Sequence, residues 1–146
     1  MKLNQSLYEK DFNLWTETHV NLLKAGKFSE IDLPNLIEEI DSMGKREKRE
    51  IRSRLIVLLM HLLKWKYQPN KRSESWISTI SEQRLSLEEL LADSPSLQPF
   101  ITEVFEVCYQ KARVKATQET KMMLDVFPAI SPFSLGETLD SAYFPE

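Results

Sequence analysis

The sequence predicts an all-α fold, a small helical bundle of about four main helices followed by an extended C-terminal tail rich in proline and aromatic residues. Apolar residues recur at steps of three and four along nearly the whole chain, which is the spacing of amphipathic helices. Three glycines in 146 residues are few for sandwiches, barrels or phosphate-binding loops. A hydrophobic fraction of 42% and a charged fraction of 28% are typical of a globular chain. We expect one helical domain over residues 1–146.

The first helix is predicted from one apolar stripe that runs from Tyr8 to Leu23. Lys24 lies in its last turn, where a positive charge is favourable, and Gly26 follows as the stop signal because glycine adopts left-handed backbone angles at low cost.

The second helix is predicted to be long. Asp32 can cap its start, with Pro34 in the first turn. The apolar phase persists on both sides of Gly44, and a lone glycine costs a helix only about 1 kcal/mol against alanine. The sequence therefore predicts a continuous helix from about Leu33 to Trp65, ended by Pro69 because the residue before a proline disfavours helical angles.

Two further helices and the tail complete the chain. Ser73 or Ser75 can cap the third helix and Ser96 the fourth, because a serine hydroxyl accepts hydrogen bonds from free backbone N–H groups. The helical pattern ends at Phe127. The remaining segment, with three prolines and several aromatic side chains, is predicted to lie extended against the bundle with a short turn near Ser134–Leu139.

Composition also excludes several kinds of site. Cys108 is the single cysteine, which excludes an internal disulfide and a zinc site built from several cysteines. With two histidines besides, we expect no metal site of that kind and no cofactor. The longest purely apolar run, residues 55–60, is far shorter than the roughly 20 residues of a membrane span, and no signal peptide is evident at the N-terminus. We therefore expect a cytoplasmic protein with no membrane partner.

Charge is distributed unevenly. The stretch from Lys45 to Arg72 holds ten bases against two acids, a net charge of +8, whereas the rest of the chain carries −11. Such a block, interleaved with Trp65, Tyr67 and Trp76, can bind phosphates and stack on bases. Pairing within the helix is the more frequent outcome, as the i,i+4 spacing of Asp41 with Lys45 and of Glu50 with Arg54 indicates. The candidate nucleic-acid contacts are Lys45, Arg46, Lys48, Arg49 and Arg52.

Another candidate binding surface surrounds Arg84, which is in phase with apolar residues of the third helix. A buried guanidinium requires a carboxylate or several carbonyls. We expect an ion pair with Glu38, Glu39 or Asp41, flanked by His61 or Trp65. No carboxylate lies three or four residues from His61, so its own helix supplies no orienting acid. The candidate binding residues are His61, Lys64, Trp65, Gln68, Arg72, Trp76 and Arg84.

Carboxylate pairs give a weaker alternative. Glu38 with Asp41, and Glu103 with Glu106, have i,i+3 spacing, and two such helices could hold Mg²⁺ for nucleotide hydrolysis. Both pairs fit a solvated helix face equally well. His19 and Cys108 fall on apolar stripes and are interpreted as core residues.

Several motifs resemble the bacterial domain-of-unknown-function family numbered twenty-nine, which is abundant in cyanobacteria. The resemblance covers roughly residues 8–146 and implies an all-α fold without an established activity. It is carried by the pattern Tyr8-x-x-Asp11-Phe12-x-x-Trp15, by Glu38 to Gly44, by His61 to Pro69, by Arg72 to Trp76, by Thr79 to Arg84, by Ser94 to Leu97, by Tyr109-x-x-Ala112-Arg113, by Phe127-Pro128 and by Phe144-Pro145-Glu146.

The function expected from these observations is that of a non-enzymatic helical binding module. It would act through protein–protein contacts, using a helical face or the aromatic tail, with another protein or a second copy as the partner. Non-specific nucleic-acid binding through residues 45–72 is the alternative, and a magnesium-dependent nucleotide hydrolase is the third hypothesis.

Overall fold

The fold is all-α, as the apolar spacing predicts. A computed structural model describes residues 7–146, and that part of the chain contains no β-strand. Besides the helical residues 7–10 and short 3₁₀ turns, its helices are α1 (Phe12–Lys24), α2 (Leu33–Tyr67), α3 (Glu74–Asp93), α4 (Gln98–Thr120) and the short α5 (Leu135–Leu139).

The described chain divides into two compact units. The first unit ends at Arg46 and the second runs from Glu47 to Glu146, so that the boundary falls inside α2. The expectation of a single domain over residues 1–146 stays a prediction.

The start of α1 differs in detail from the predicted stripe. Residues 7–10 are helical, but Asp11 interrupts the helix. Its carboxylate accepts a hydrogen bond from Leu14 N at 3.0 Å and caps a new helix at Phe12. The end of α1 is as predicted, because the helix stops at Lys24 and Gly26 has a φ of +70°.

Helix α2 is continuous over 35 residues, from Leu33 to Tyr67, which confirms the predicted long helix. Gly44 lies in its interior without breaking it. Pro69 follows the last turn, where it begins a short 3₁₀ turn.

The starts of α3 and α4 differ in how they are capped. Ser73 Oγ accepts a hydrogen bond from Trp76 N at 3.2 Å, which confirms Ser73 as the cap of α3. The predicted cap at Ser96 is wrong. A 3₁₀ turn, Pro95–Leu97, continues directly into α4 and leaves no side-chain cap at the junction. Its backbone bond from Leu97 N to Ser94 O, at 2.9 Å, already fixes the entry to the helix.

The core of the second unit is built by α2, α3, α4 and the tail. Phe127 and Phe133 of the tail are buried in it. Tyr109 of α4 donates its hydroxyl to Pro128 O at 2.6 Å, and Arg113 Nε donates to Phe127 O at 3.0 Å. The tail therefore lies against the helices, as predicted. Fully buried helix residues include Ile51, Leu55, Leu58, Leu62, Ile80, Leu87, Ile101, Tyr109 and Ala112.

Candidate binding surface

Arg84 is buried, as its position on α3 predicts, with only 4% of its surface exposed. The predicted ion pair with Glu38, Glu39 or Asp41 is wrong. Arg84 Nε donates to Thr138 O at 2.8 Å, and Nη2 donates to Glu137 O at 3.4 Å. These are carbonyls at the C-terminal end of α5, which carry partial negative charge. Burial lowers the pKa of the guanidinium, against the opposing effect of Asp140, but it stays protonated.

Trp65 and Arg72 also hold the chain's own tail. The guanidinium of Arg72 lies 4.8 Å from the centre of the Trp65 ring, and its Nε donates to Trp65 O at 2.8 Å. Nη2 of the same side chain donates to Pro145 O at 3.3 Å. Phe144 packs on Trp65 with ring centres 5.0 Å apart and lies 5.4 Å from the Arg84 guanidinium. Trp65, Arg72 and Arg84 therefore clamp Phe144 and Pro145 instead of presenting an open surface.

Lys64 and Trp76 form a separate contact. Lys64 Nζ lies 3.0 Å from Glu119 Oε1 and 5.0 Å from the centre of the Trp76 ring. The ammonium group is therefore engaged within the second unit by an ion pair and a cation–π contact.

His61 and Gln68 form no side-chain hydrogen bond to the other five candidate residues in the part of the chain described. His61 Nδ1 is 2.9 Å from Val57 O and must donate, because a carbonyl only accepts. Burial, with a smaller contribution from Lys64, lowers the pKa of His61. Gln68 borders a shallow cavity of about 300 Å³ beside Tyr67. Of the seven candidate residues, Trp65, Arg72 and Arg84 thus share the segment Phe144-Pro145 as a partner, and Lys64 contacts Trp76.

The basic block is partly neutralised within α2. Lys45 pairs with Asp41 at 2.9 Å and Arg54 with Glu50 at 2.9 Å, which confirms both predicted i,i+4 pairs. Arg46 reaches Glu39 at 3.8 Å.

Six bases of the block have no ion pair among residues 7–146, namely Lys48, Arg49, Arg52, Lys66, Lys71 and Arg72. Lys48 and Arg52 lie over the Phe100 ring at 5.4 and 5.6 Å, and Arg49 is exposed.

Acidic side chains do not gather into a metal-binding group. Within residues 7–146, no three His, Cys, Asp or Glu residues are grouped so that they could hold a metal ion. Glu106 instead accepts a hydrogen bond from Ser131 N at 3.4 Å. The magnesium hypothesis gains no support from this arrangement.

The first unit carries a surface that the sequence analysis did not single out. Residues of α1 and of the first turns of α2 line a groove of about 360 Å³. Leu33 and Ile37 extend the exposed row of α2 beyond the groove. We define the apolar face as the seven exposed side chains of this region, which are Phe12, Val20, Leu23, Leu33, Ile37, Ile40 and Met43.

Exposure is high along the apolar face. Leu33, Ile37, Ile40 and Met43 on α2 are 57%, 59%, 62% and 60% exposed. By contrast, Trp15 and Ile31 are the buried hydrophobic residues of the first unit within the described chain. A hairpin this small cannot bury both of its apolar stripes, since the buried fraction falls with chain length.

The floor of the groove is formed by stacked aromatic rings. Trp15 stacks on His19 with ring centres 4.3 Å apart and on Phe12 at 5.9 Å. His19 Nδ1 is 3.0 Å from Trp15 O, and Nε2 accepts from Asp32 N at 3.0 Å. These partners require the neutral tautomer with the proton on Nδ1, so His19 is the satisfied core histidine that was predicted.

Two buried polar atoms lie near this floor without a hydrogen-bond partner in residues 7–146, Trp15 Nε1 and Asp32 Oδ1. Trp15 itself lines the groove. A buried donor without a partner costs free energy, and a partner group or a water bound there would remove that cost.

Charged groups border the groove on the Glu39 side. Tyr8 donates its hydroxyl to the Glu39 carboxylate, and this bond, with burial and the negative charge, raises the pKa of Tyr8. Arg46 lies within ion-pair distance of the same carboxylate. The surface therefore combines an apolar centre with a polar rim, the arrangement typical of protein interfaces.

The spacing of apolar residues does not distinguish this face from a core, but the number of residues available to cover it could have done so. The apolar stripe of α2 predicts a long helix but does not say what covers each part of it. In the described part of their own unit, however, residues 33–46 have only α1, the helical residues 7–10 and a short loop to pack against.

No helix of the described chain is both long enough and apolar enough to cross a membrane. The family model described as a domain of unknown function, DUF29, matches residues 7–144. No curated protein and no solved structure matches the chain.

Proposed function

This chain belongs to the DUF29 family, and we propose that it is a non-enzymatic protein-binding module whose binding surface is the apolar face. The observation that carries the proposal is the exposure of four successive apolar side chains on one side of α2, Leu33, Ile37, Ile40 and Met43. Positions spaced by three and four on a helix are the anchors by which helices recognise partner helices.

The area of the face supports a specific interface. Seven large apolar side chains at about half exposure present on the order of 100 Å² each, or roughly 700 Å² together. Monomeric proteins seldom expose apolar patches larger than about 300–600 Å². A standard interface buries about 800 Å² per partner, so the face is large enough for one.

The aromatic tail, the other surface expected to bind, does not support the proposal as well. Phe127, Phe133 and Pro145 are buried, and Phe144 is held between Trp65 and Arg84. These four side chains of the tail are thus already engaged within the second unit.

In-cell photo-crosslinking tests the proposal. A photoreactive amino acid at Ile40 should give a discrete covalent adduct with another polypeptide, because Ile40 lies at the centre of the face. The matched control is the same amino acid at Leu85 of α3, which is 56% exposed outside the face. An adduct at position 40 that is lost in an Ile37→Asp background would support the proposal. Equal labelling at positions 40 and 85, or none at position 40, would contradict it.

A second candidate is non-specific nucleic-acid binding through the basic block. Lys48, Arg49 and Arg52 support it, because they have no ion pair among the described residues. Lys48 and Arg52 also lie over the half-buried ring of Phe100. Binding of this kind should fall steeply with salt, since each neutralised phosphate releases counterions. It should also be lost when Lys45, Arg46, Lys48 and Arg49 are all replaced by glutamine. Salt-independent binding, or unchanged binding by that variant, would rule it out.

The proposed setting is the bacterial cytoplasm. The single cysteine supports it: Cys108 is a free thiol that burial keeps protonated by raising its pKa. Fractionation of native cells, with the chain recovered beside cytoplasmic markers, is the expected result.

A further inference from the structure

A groove between α2 and α4 gathers positive charge that the described chain does not neutralise. Lys48 and Arg52 of α2 lie over the ring of Phe100, near the start of α4, at 5.4 and 5.6 Å. Further along both helices, Lys64 pairs with Glu119 at 3.0 Å. Residue numbers rise together between these contacts, so α2 and α4 run in the same direction on either side of the groove. All of these residues belong to the second unit, whereas the apolar face belongs to the first.

Five bases border this groove. They are Lys48, Arg49 and Arg52 on α2 and Lys111 and Lys115 on α4, and none of them forms an ion pair among residues 7–146. Arg49, Arg52 and Ile56 form one row on α2, since they are three and four residues apart. Ile56 lines a shallow cavity of about 590 Å³ together with Lys111 and Lys115.

Most acids on the same stretches of the two helices have partners elsewhere. Glu47 accepts from Ser94 Oγ, Glu106 accepts from Ser131 N, and Glu50 pairs with Arg54. Glu103 is exposed and has no ion pair among residues 7–146. Five bases therefore face the groove against one unpaired acid nearby, which leaves an excess of positive charge.

The bases of the two helices lie close to one another. Burial raises the pKa of Cys108, and the positive charges of Lys111 and Arg52 oppose that effect. Cys108 Sγ also lies 3.9 Å from Arg52 O. A base of α2 and a base of α4 are thus near the same thiol, and an anionic group placed between the helices would meet both.

An aliphatic row runs along the same groove. Val107, Lys111 and Val114 are four and three residues apart on α4, and the two valines are 57% and 49% exposed. Ile56, which is half-buried, lines the cavity beside Val114. We define the basic groove as the five bases together with Ile56, Val107 and Val114.

The composition of the basic groove favours a polypeptide over a nucleic acid. Nucleobases bind by stacking on open aromatic rings. The exposed apolar groups here are aliphatic, and two cations already lie over Phe100. An aliphatic row bordered by positive charge matches the apolar face of a helix whose flanks carry carboxylates.

We propose that the basic groove binds an amphipathic helix of another protein, with one apolar row flanked on both sides by acidic residues. The groove from Phe100 to Gln118 is about 27 Å long at 1.5 Å per residue, so a helix of about five turns would fill it. This second surface goes beyond the proposed function, because the apolar face and the basic groove share no residue.

Fluorescence anisotropy of a labelled synthetic peptide with the full chain tests the proposal. The peptide is a helix of about five turns, with leucines at steps of three and four and glutamates on both flanks. It should bind with a micromolar dissociation constant at physiological salt. A peptide of the same composition in scrambled order keeps the charge without the apolar row, and should bind at least tenfold more weakly. Equal binding of the two peptides, or no binding of the first, would overturn the proposal.

Charge reversal locates the peptide on the chain. Lys111→Glu and Lys115→Glu should each weaken binding several-fold, and the double variant at least tenfold, because each places like charges together. Lys71→Glu is the matched control, since Lys71 is exposed, lies outside the groove and has no ion pair among residues 7–146. A peptide with lysines on one flank should bind the double variant more tightly than the parent chain. An equal loss in Lys71→Glu and Lys115→Glu would overturn the assigned site.

Replacing the valines separates a helix from a nucleic acid. Val107→Ser/Val114→Ser removes the exposed apolar groups without changing the charge, so it should weaken the acidic peptide several-fold and leave the binding of a thymidine oligonucleotide unchanged. The matched control is Ile130→Ser, at a position 74% exposed outside the groove. Peptide binding unaffected by the double variant would overturn the helix in the groove. An oligonucleotide that binds more tightly than the peptide and displaces it would overturn the proposal in favour of nucleic acid.

Discussion

Replacing Arg84 should loosen the C-terminal segment from α3 and destabilise the second unit. The guanidinium joins α3 to the last carbonyls of α5 and to the ring of Phe144, three contacts from one buried side chain. Arg84→Met keeps most of the apolar stem and removes all three contacts. Arg84→Ala removes the stem as well.

The size of the effect follows from the partners. A hydrogen bond from a charged donor contributes about 1.5–3 kcal/mol, and the bond to Thr138 O at 2.8 Å is of that kind. The bond to Glu137 O is long, at 3.4 Å, and adds little. The contact with the Phe144 ring adds about 0.5–1 kcal/mol. Removing the charge also removes the cost of burying it, which offsets part of these contributions. We therefore expect Arg84→Met to lower the free energy of unfolding by about 2 kcal/mol. Arg84→Ala should lose about 3 kcal/mol because a cavity remains.

Urea unfolding followed by tryptophan fluorescence measures these differences. Trp65 is a suitable reporter because it contacts Phe144 directly. The urea concentration at the midpoint of unfolding should fall. The slope of the free energy of unfolding against urea should stay the same, since the surface exposed on unfolding is unchanged. Arg49→Met is the matched control, because Arg49 is exposed and has no ion pair among residues 7–146. This substitution should change the free energy of unfolding by less than about 0.5 kcal/mol. An Arg84→Met variant as stable as the parent would refute the assignment of this clamp.

Two further predictions concern titratable groups of the second unit. Burial raises the pKa of Tyr109 to about 12, above its ordinary value of 10.0, so the unfolded state releases the phenol proton first as the pH rises. The contribution of Tyr109 to stability should therefore be full below pH 10 and fall as the pH rises toward 12. Tyr109→Phe should remove this pH dependence and lower the free energy of unfolding at neutral pH by about 1 kcal/mol, because the bond to Pro128 O is lost. Alkaline unfolding curves of the two proteins test this, and parallel curves would contradict it. Burial lowers the pKa of His61 below its ordinary value of 6.5, so the unfolded state binds the proton first as the pH falls. The contribution of His61 to stability should be complete above about pH 6.5 and decline as the pH falls through the pKa of the folded state. This pH dependence should disappear in His61→Gln. Stability measured from pH 7.5 to 5 checks this, and a variant with an unchanged slope would refute it.

The fold could be predicted well where local physics decides it. The period of three to four residues identified the helices, the C-terminal glycine marked the end of α1, and the persistence of the apolar phase through Gly44 gave α2 as one helix. The predicted cap of α4 at Ser96 was wrong, because a 3₁₀ turn and a serine cap can satisfy the same backbone groups. The segment from Ser94 to Leu97 is compatible with both.

The candidate site could be predicted only in part. The burial of Arg84 followed from helical phase, but its partner did not, because carbonyls of a distant segment leave no signature in the sequence. Trp65 and Arg72 were both predicted to be binding residues, yet they contact the segment Phe144-Pro145 of the same chain. The apolar face was missed because an apolar stripe looks the same whether a core or a partner covers it.

Oxidative footprinting of Met43 tests most directly whether the apolar face is covered when the protein works. Met43 belongs to the face and is 60% exposed, and Met123, 76% exposed outside it, is an internal control of the same chemistry. Hydroxyl radicals should oxidise both methionines readily in the dilute purified chain. In the native cell, Met43 should become several-fold less reactive relative to Met123. A ratio that is the same in the cell and in the dilute chain would contradict the account, because it would leave the face open to water in both.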